Sequence, residues 1–279
     1  MIIDFAGKTV LVTGGGAGIG RAIAETFGQA GANVVVAEID PQRAGELEKV
    51  LQAAKTNALV SVTDVRDSTQ VGALMRSVEQ RFGGLDVLVN NVGDFLQIAK
   101  PFEQVSDDEL DQLYATNLKS VFIVSRAAIP LLQKNAPGGS IISISSIEAF
   151  RGIPKTVVYS AMKHAITGFT RSLALELGPI GIRVNAIAPE TTETPQVPVH
   201  SLIAEEHRDH IARWIPLGRF GEPRDAAGAA LFLASDLASW ITGTTINLDG
   251  GALAAGGWYR DPKGLWTNVP VVSGNGFNF

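Results

Sequence analysis

Seven short apolar runs recur along the chain, and a longer amphipathic stretch separates each from the next. They are TVLVTG (9–14), NVVVAEI (33–39), ALVSV (58–62), DVLVNN (86–91), SIISISS (140–146), IRVNAIAP (182–189) and TTINLDGG (244–251). Most are β-branched and nearly continuous rather than alternating, the pattern of strands covered on both faces. Between them the periodicity turns helical. Ile19, Ile23 and Phe27 recur at i, i+4 and i+8, and Asp67 or Ser68 caps a helix carrying Val71, Leu74, Met75 and Val78. A β-α-β alternation repeated this often predicts a doubly wound α/β fold, one parallel sheet with helices on both faces, and right-handed crossovers leave few topologies for it.

No linker interrupts the rhythm up to residue 251, so residues 1–251 of the 279 read as a single Rossmann-type catalytic domain. Residues 189–222 form a long connection with an amphipathic piece, and a connection of this length inside a compact domain reads as a substrate lid. Residues 252–279 form a tail with Trp258, Tyr259, Trp266, Phe277 and Phe279, too aromatic for a disordered segment. It reads as packing at a subunit interface rather than as a substrate wall. The formal charge of −5 disfavours nucleic acid and anionic membrane surfaces as partners. The absence of cysteine excludes disulfides and thiolate catalysis. The N-terminus lacks a signal-peptide pattern and no run of apolar residues is long enough to span a bilayer, so the expected location is cytoplasmic.

TGGGAGIG (13–20) follows the first run and opens the first helical pattern. Gly14, Gly18 and Gly20 permit a tight turn and close approach of backbone N–H groups to a pyrophosphate, Ile19 between them counts among the expected cofactor contacts, and the N-terminus of the helix adds its partial positive charge. The second run ends in Glu38, 18 residues beyond Gly20. An acid there accepts hydrogen bonds from the ribose hydroxyls of adenosine and repels a 2′-phosphate, which points to NAD rather than NADP; Asp40 is the competing acid.

YSAMK (159–163) places a phenol and an amine one turn apart on a single helical face, within a segment that reads as helix over 156–177. A free tyrosine holds its proton up to a pKa of about 10. A neighbouring ammonium favours the phenolate, so Lys163 is expected to bring Tyr159 into range for proton exchange with an alcohol or carbonyl oxygen. Ser146 ends the fifth run, and the carboxyl ends of strands in an open parallel sheet form the binding crevice, so its hydroxyl is expected at the same place.

With TGGGAGIG, NNVG (90–93), Asn117, Ser146 and YSAMK taken together, the chain resembles the classical short-chain dehydrogenase/reductase family, continuously from the first strand to INLDGG (246–251). The resemblance implies a Rossmann-type sheet of seven parallel strands and a catalytic tetrad of Asn117, Ser146, Tyr159 and Lys163. It implies that Asn117 sits on the long helix after the fourth strand and holds a proton-relay water, that Ser146 polarises the substrate oxygen, that Tyr159 is the general acid/base, and that Lys163 binds the nicotinamide ribose. It extends the cofactor contacts to Asp64 and Val65 at the adenine, Asn91 and Gly93 on the ribose side, and Thr192 and Thr194 near the nicotinamide. It also favours a homotetramer. Two departures stand out: Val92 replaces the family's alanine, and Glu190 follows Pro189 where the family usually has glycine.

The reading is an NAD-dependent oxidoreductase that interconverts a secondary alcohol and a ketone. Val197, Val199, Leu202, Ile203, Ile211, Trp214 and Ile215 in the lid point to an apolar substrate, and Phe95, Leu96 and Glu148 are pocket candidates. Aromatic dihydrodiols, hydroxysteroids, terpenoid alcohols and hydroxyacyl groups all fit. The alternatives are an NAD-sensing binding protein without turnover, or another reaction on the same scaffold such as double-bond reduction. No metal is expected: His200, His207 and His210 lack metal-binding spacing, and Asp107 and Asp108 follow Ser106 as helix-capping acids.

Overall fold

A computed structural model of the chain describes residues 3–202, 205–257, 259–261 and 263–267. Each expected run forms a strand: β1 Thr9–Thr13, β2 Asn33–Glu38, β3 Ala58–Val62, β4 Val87–Asn90, β5 Ser140–Ile144, β6 Arg183–Pro189 and β7 Thr245–Leu248. They pair in parallel in the order β3-β2-β1-β4-β5-β6-β7. The continuous apolar runs have a direct cause. Val10 and Val12 of β1, Val34 and Val36 of β2, and Val87 and Val89 of β4 enter one core. Leu11, Val35 and Leu88, one residue out of phase, enter the other. Both faces of the sheet are therefore covered, which is why these runs do not alternate apolar with polar.

Helices α1 (Gly18–Gln29), α2 (Pro41–Ala53) and α8 (Pro223–Ala234) cover the first face, through Phe27, Leu47 and Leu233 among others. On the second face lie α3 (Ser68–Phe82), α5 (Ser120–Lys134) and α6 (Val157–Leu177), with Val78, Leu132 and Leu173 in the core. Local chemistry sets the starts. Asp67 caps α3 by accepting from Thr69 and Gln70, and Ser106 with Glu109 closes a capping box on α4 (Asp107–Tyr114). Asp107 and Asp108 therefore sit in the first turn of α4, where acids suit the helix dipole.

The order reverses between β1 and β4: β1 leads outward to β2 and β3, and β4 leads to β5, β6 and β7. Crevices in sheets of this kind open outside the strand carboxyl ends at such a reversal. Beyond β6 the two ends of the connection meet in an isolated bridge between Thr192 and Gly221, and between them lie the short helix α7 (Val199–Leu202) and a 3-10 segment over Glu205–Arg213. Val199, Ile215, Phe220 and Ala252 form a small core beneath it, with Val197, Ile211 and Trp214 packed on its side. After β7 the tail forms a two-stranded antiparallel ribbon, β8 (Tyr259–Arg260) with β9 (Trp266–Thr267), and β8 lies against the Glu205–Arg213 segment of the same chain. Ile203, Trp258, Phe277 and Phe279, and the side chains of His200, Leu202, His207 and Trp266, lie outside the described residues. No helix among the described residues is long and apolar enough to cross a membrane.

Candidate active site

The glycine loop joins β1 to α1 at the reversal point. Gly14 and Gly18 take positive φ, 62° and 53°. A Cβ on Gly20 would stand 2.2 Å from the Gly14 carbonyl oxygen, so the turn closes only with glycine there. Ala17 caps α1 without a side-chain acceptor, leaving the first-turn N–H groups to another partner, and Ile19 begins the packed face of the helix. At the loop's far side the Glu38 carboxylate, in a residue only 4% exposed, accepts from the Gly16 N–H at 2.8 Å and the Asp40 N–H at 3.1 Å. The Arg43 side chain also borders this corner: a Cβ on Gly16 would lie 2.8 Å from that of Arg43. No motif in the sequence singles out Arg43; its only signal is its place in the first turn of the helix that Asp40 caps.

Asn91 connects this loop to the rest of the site. Its amide donates to the carbonyls of Thr13 and Gly14, at 3.0 and 3.1 Å, and its backbone N–H donates to the Thr13 hydroxyl at 2.9 Å. The side chain thus fixes the loop itself. Gly93, two residues on, leaves the space that the Lys163 ammonium fills: a Cβ there would be 2.5 Å from Nζ. Val65 is buried behind β3, and the Asp64 carboxylate is engaged by Arg66 at 2.8 Å, which holds its pKa below the ordinary value. Thr192 donates its hydroxyl to the Glu190 carbonyl at 2.8 Å, and the Thr194 methyl faces Gly18 across the loop, 3.2 Å from where a Cβ would be.

Asn117 departs from expectation in its setting. It lies in a π-helical turn, Ala115–Lys119, inserted between α4 and α5 rather than in regular helix. The cause is a long-range clamp. The Asn117 Oδ1 accepts from the Asp94 N–H at 3.0 Å, and its Nδ2 donates to the Asp94 carbonyl at 2.7 Å and to the Leu113 carbonyl at 3.0 Å. The side chain is fully buried and bonds the Asp94 peptide as a neighbouring strand would. Single-turn π-bulges of this kind concentrate at functional sites.

Lys163 is 2% exposed and donates to the Ile144 carbonyl at 3.0 Å, at the end of β5. Ser145 ties the same stretch of α6 down by donating to the Lys163 carbonyl at 2.8 Å. The Lys163 Nζ lies 5.6 Å from the centre of the Tyr159 ring. The Ser146 hydroxyl accepts from the Glu148 N–H at 3.2 Å and lies near enough to the Tyr159 phenol to lower its pKa. Ser146, Tyr159, Lys163 and Asn117 are therefore neighbours, and Asn91 and Gly93 connect them to the glycine loop.

The electrostatics correct one expectation. Lys163 does not draw the Tyr159 pKa down. Burial pushes the phenol up to about 12, against the Ser146 hydroxyl, and the Glu148 and Asp94 carboxylates push the same way. Burial lowers Lys163 to about 8, with Asp94 opposing. Desolvation outweighs the neighbouring charge for both groups. Asp94 carries no motif of its own in the sequence; its signal is its position directly after NNVG. Glu148 sits behind Ser146, raised above the ordinary carboxylate range by burial and by Glu190 and held back by Arg151.

A family model described as enoyl-(acyl carrier protein) reductase matches residues 14–252. A 3-oxoacyl-(acyl carrier protein) reductase of Thermotoga maritima is 37% identical over 248 residues, covering 88% of this chain and 97% of that protein. The 3beta-hydroxysteroid dehydrogenase 1 of Eggerthella lenta is 39% identical over 252 residues, covering 90% and 95%. Among solved structures, a 7 alpha-hydroxysteroid dehydrogenase complexed with NADH and 7-oxo glycochenodeoxycholic acid superposes with a TM-score of 0.82 at 34% identity, over 90% of this chain and 96% of the other.

Proposed function

The chain belongs to the short-chain dehydrogenase/reductase family, and from that premise we propose that it is an NAD-dependent oxidoreductase interconverting a secondary alcohol and a ketone on an apolar substrate. The observation that carries the proposal is the shared cleft: the phenol of Tyr159, the hydroxyl of Ser146 and the ammonium of Lys163 stand together beside a loop built to approach a pyrophosphate. The dinucleotide fits this cleft on three counts: positive-φ glycines, uncapped N–H groups at the start of α1, and a carboxylate at the end of β2. When bound, it supplies the carbon that takes or gives the hydride.

The chain's own residues manage the proton and hold the substrate. Ser146 donates to the substrate oxygen and holds it against Tyr159. At neutral pH the phenol is protonated, because its pKa is pushed to about 12, so it stands ready to give its proton to a ketone oxygen. In the reverse direction the alcohol proton passes to the phenolate as the carbon–hydrogen bond breaks. Lys163, at about 8, exchanges a proton near neutral pH and can return one to Tyr159. Asn117 keeps the Asp94 peptide and the wall of Gly93 in place beside them. The lid over residues 189–222 closes the apolar side, a homotetramer is the assembly we favour, and a cytoplasmic location suits a chain of this kind.

The pH dependence has a defined sign. Alcohol oxidation needs the deprotonated phenol, so its rate rises with pH through the alkaline range. Asp94 raises both Tyr159 and Lys163, so Asp94→Asn lowers both pKa values and moves this rising limb to lower pH. Asparagine keeps an oxygen for the Leu96 N–H that Asp94 now serves at 2.7 Å. Initial oxidation rates from pH 6 to 11 check this; an unmoved or upward-moved limb contradicts it.

The nicotinamide absorbance band tests the proposal as a whole, with NAD and NADP compared across dihydrodiols, hydroxysteroids, terpenoid alcohols and hydroxyacyl compounds. Glu38 predicts kcat/KM with NAD above that with NADP by about a hundredfold or more, from a buried carboxylate facing a phosphate. Glu38→Ser should reduce that ratio by at least about tenfold. Equal use of both cofactors by the native chain would contradict this assignment of Glu38.

A further inference from the structure

The position that departs from the family carries a charge, and the structure gives that charge a partner. Glu190, at the end of β6, presents a carboxylate with a side chain only 4% exposed. Two donors from Thr191 orient it: its backbone N–H and its hydroxyl both bond the Glu190 Oε1, at 2.8 and 2.9 Å. The other oxygen, Oε2, pairs by charge with the Arg151 Nη2 at 2.5 Å, without hydrogen-bond geometry. Arg151 comes from the loop between Ser146 and Tyr159, and the Glu148 carboxylate holds the same guanidinium, at 3.0 Å to Nη2 and 3.4 Å to Nε. The Glu148 N–H donates to the Ser146 hydroxyl at 3.2 Å, and the Glu148 carbonyl accepts from the Ser160 hydroxyl, next to Tyr159, at 2.7 Å, which places the cluster beside the reacting centre.

We infer that Arg151 is a carboxylate-binding subsite that Glu190 occupies from within the chain, so that the site selects uncharged alcohols and ketones and rejects those carrying a carboxylate. The inference rests on the oxidoreductase reading and narrows its substrate class. Guanidinium groups are well matched to carboxylates, and an arginine beside a reacting centre ordinarily attracts one. Here a substrate carboxylate would compete with a tethered one already oriented by Thr191, whose effective concentration no free ligand reaches. It would also enter a cluster of two carboxylates and one guanidinium, net negative by one charge. Removing the Glu190 charge makes the Arg151–Glu148 pair neutral and relieves the guanidinium of the second carboxylate now paired with Nη2. The Arg151 side chain is 32% exposed, so a ligand in solution can reach it.

The test compares the native chain, Glu190→Gln, Glu190→Gly and the double variant Glu190→Gln with Arg151→Met. Two readings are taken. The first is the ratio of kcat/KM for 3-hydroxycyclohexanecarboxylate to that for cyclohexanol, with NAD. The second is calorimetric titration of benzoate, with and without NAD, which needs no turnover. Glu190→Gln and Glu190→Gly should raise the ratio and tighten benzoate binding by about tenfold or more, the scale of one new charge-assisted hydrogen bond. The double variant should lose that increase. Equal ratios and equal benzoate binding across the set overturn the inference, as does an increase that survives loss of Arg151. Benzoate binding to the native chain below about 1 mM overturns it too, even if neither variant folds. A native chain that oxidises none of the neutral panel sinks the oxidoreductase reading instead, and the titration still decides whether Arg151 is masked.

Discussion

Tyr159→Phe is expected to lower turnover by about three orders of magnitude or more while leaving dinucleotide affinity nearly unchanged. The magnitude follows from what the change removes. General acid/base catalysis by a positioned group contributes roughly 10²–10⁴-fold, and a thousandfold loss corresponds to about 4 kcal/mol of barrier. Phenylalanine keeps the ring that stands 5.6 Å from the Lys163 ammonium, and so keeps the packing of α6 against β5. Only the oxygen next to Ser146 goes. Ser146→Ala should cost less, about a hundredfold, because it removes an orienting donor and leaves the proton source in place. Stopped-flow rates with the best substrate of the panel, alongside fluorescence titration of NADH and a thermal melt, separate these effects. A Tyr159→Phe chain that retains turnover within about tenfold of native shows that another group moves the proton. A chain that loses NADH binding in parallel shows that the phenol mainly holds the cofactor.

The parts of this site that are legible in the sequence are those whose physics is local. A strand buried on two faces must be apolar along its middle, so β1, β2 and β4 announce themselves. A loop that bends through Gly14 and Gly18 must spell its glycines, and a helix carrying Tyr159 and Lys163 one turn apart shows that pair in its spacing. The parts that are not legible depend on partners far along the chain. The π turn at Asn117 exists because its amide bonds the Asp94 peptide, 23 residues earlier. The upward shift of Tyr159 combines its own burial with carboxylates at Glu148 and Asp94, on two different loops. The departure at Glu190 is visible as a letter, but its meaning lies in Arg151, 39 residues before it. Family resemblance puts Asn91 on the adenosine ribose side; the structure has its amide bonding Thr13 and Gly14, which points to a role in shaping the loop.

The second large effect is expected at Gly20, where the glycine loop meets its helix. Gly20→Ala adds a single methyl group, which would stand 2.2 Å from the Gly14 carbonyl oxygen, 2.5 Å from the Asn91 Nδ2 and 2.9 Å from the Gly14 carbonyl carbon. Backbone cannot rotate away as a side chain can. Either α1 shifts outward or the loop opens, and the Asn91 amide loses its hold on Thr13 and Gly14 in both cases. Overpacking costs typically reach about 3 kcal/mol, and for a domain of this size that is a fall of roughly 10 °C in Tm. NADH binding should weaken by an order of magnitude or more, since the N–H groups that face the pyrophosphate belong to the displaced turn. Gly45→Ala provides the contrast. Gly45 lies inside α2 with nothing within 4 Å of a Cβ built there, so alanine should stabilise by about 0.5–1 kcal/mol through its better helix propensity. Melting curves and NADH titrations of the two variants give opposite signs on the first axis and an effect from Gly20→Ala alone on the second. If Gly20→Ala melts with the native chain and binds NADH as tightly, the loop is not closed as the Gly14 carbonyl and Asn91 place it, and the cofactor cleft loses its structural basis.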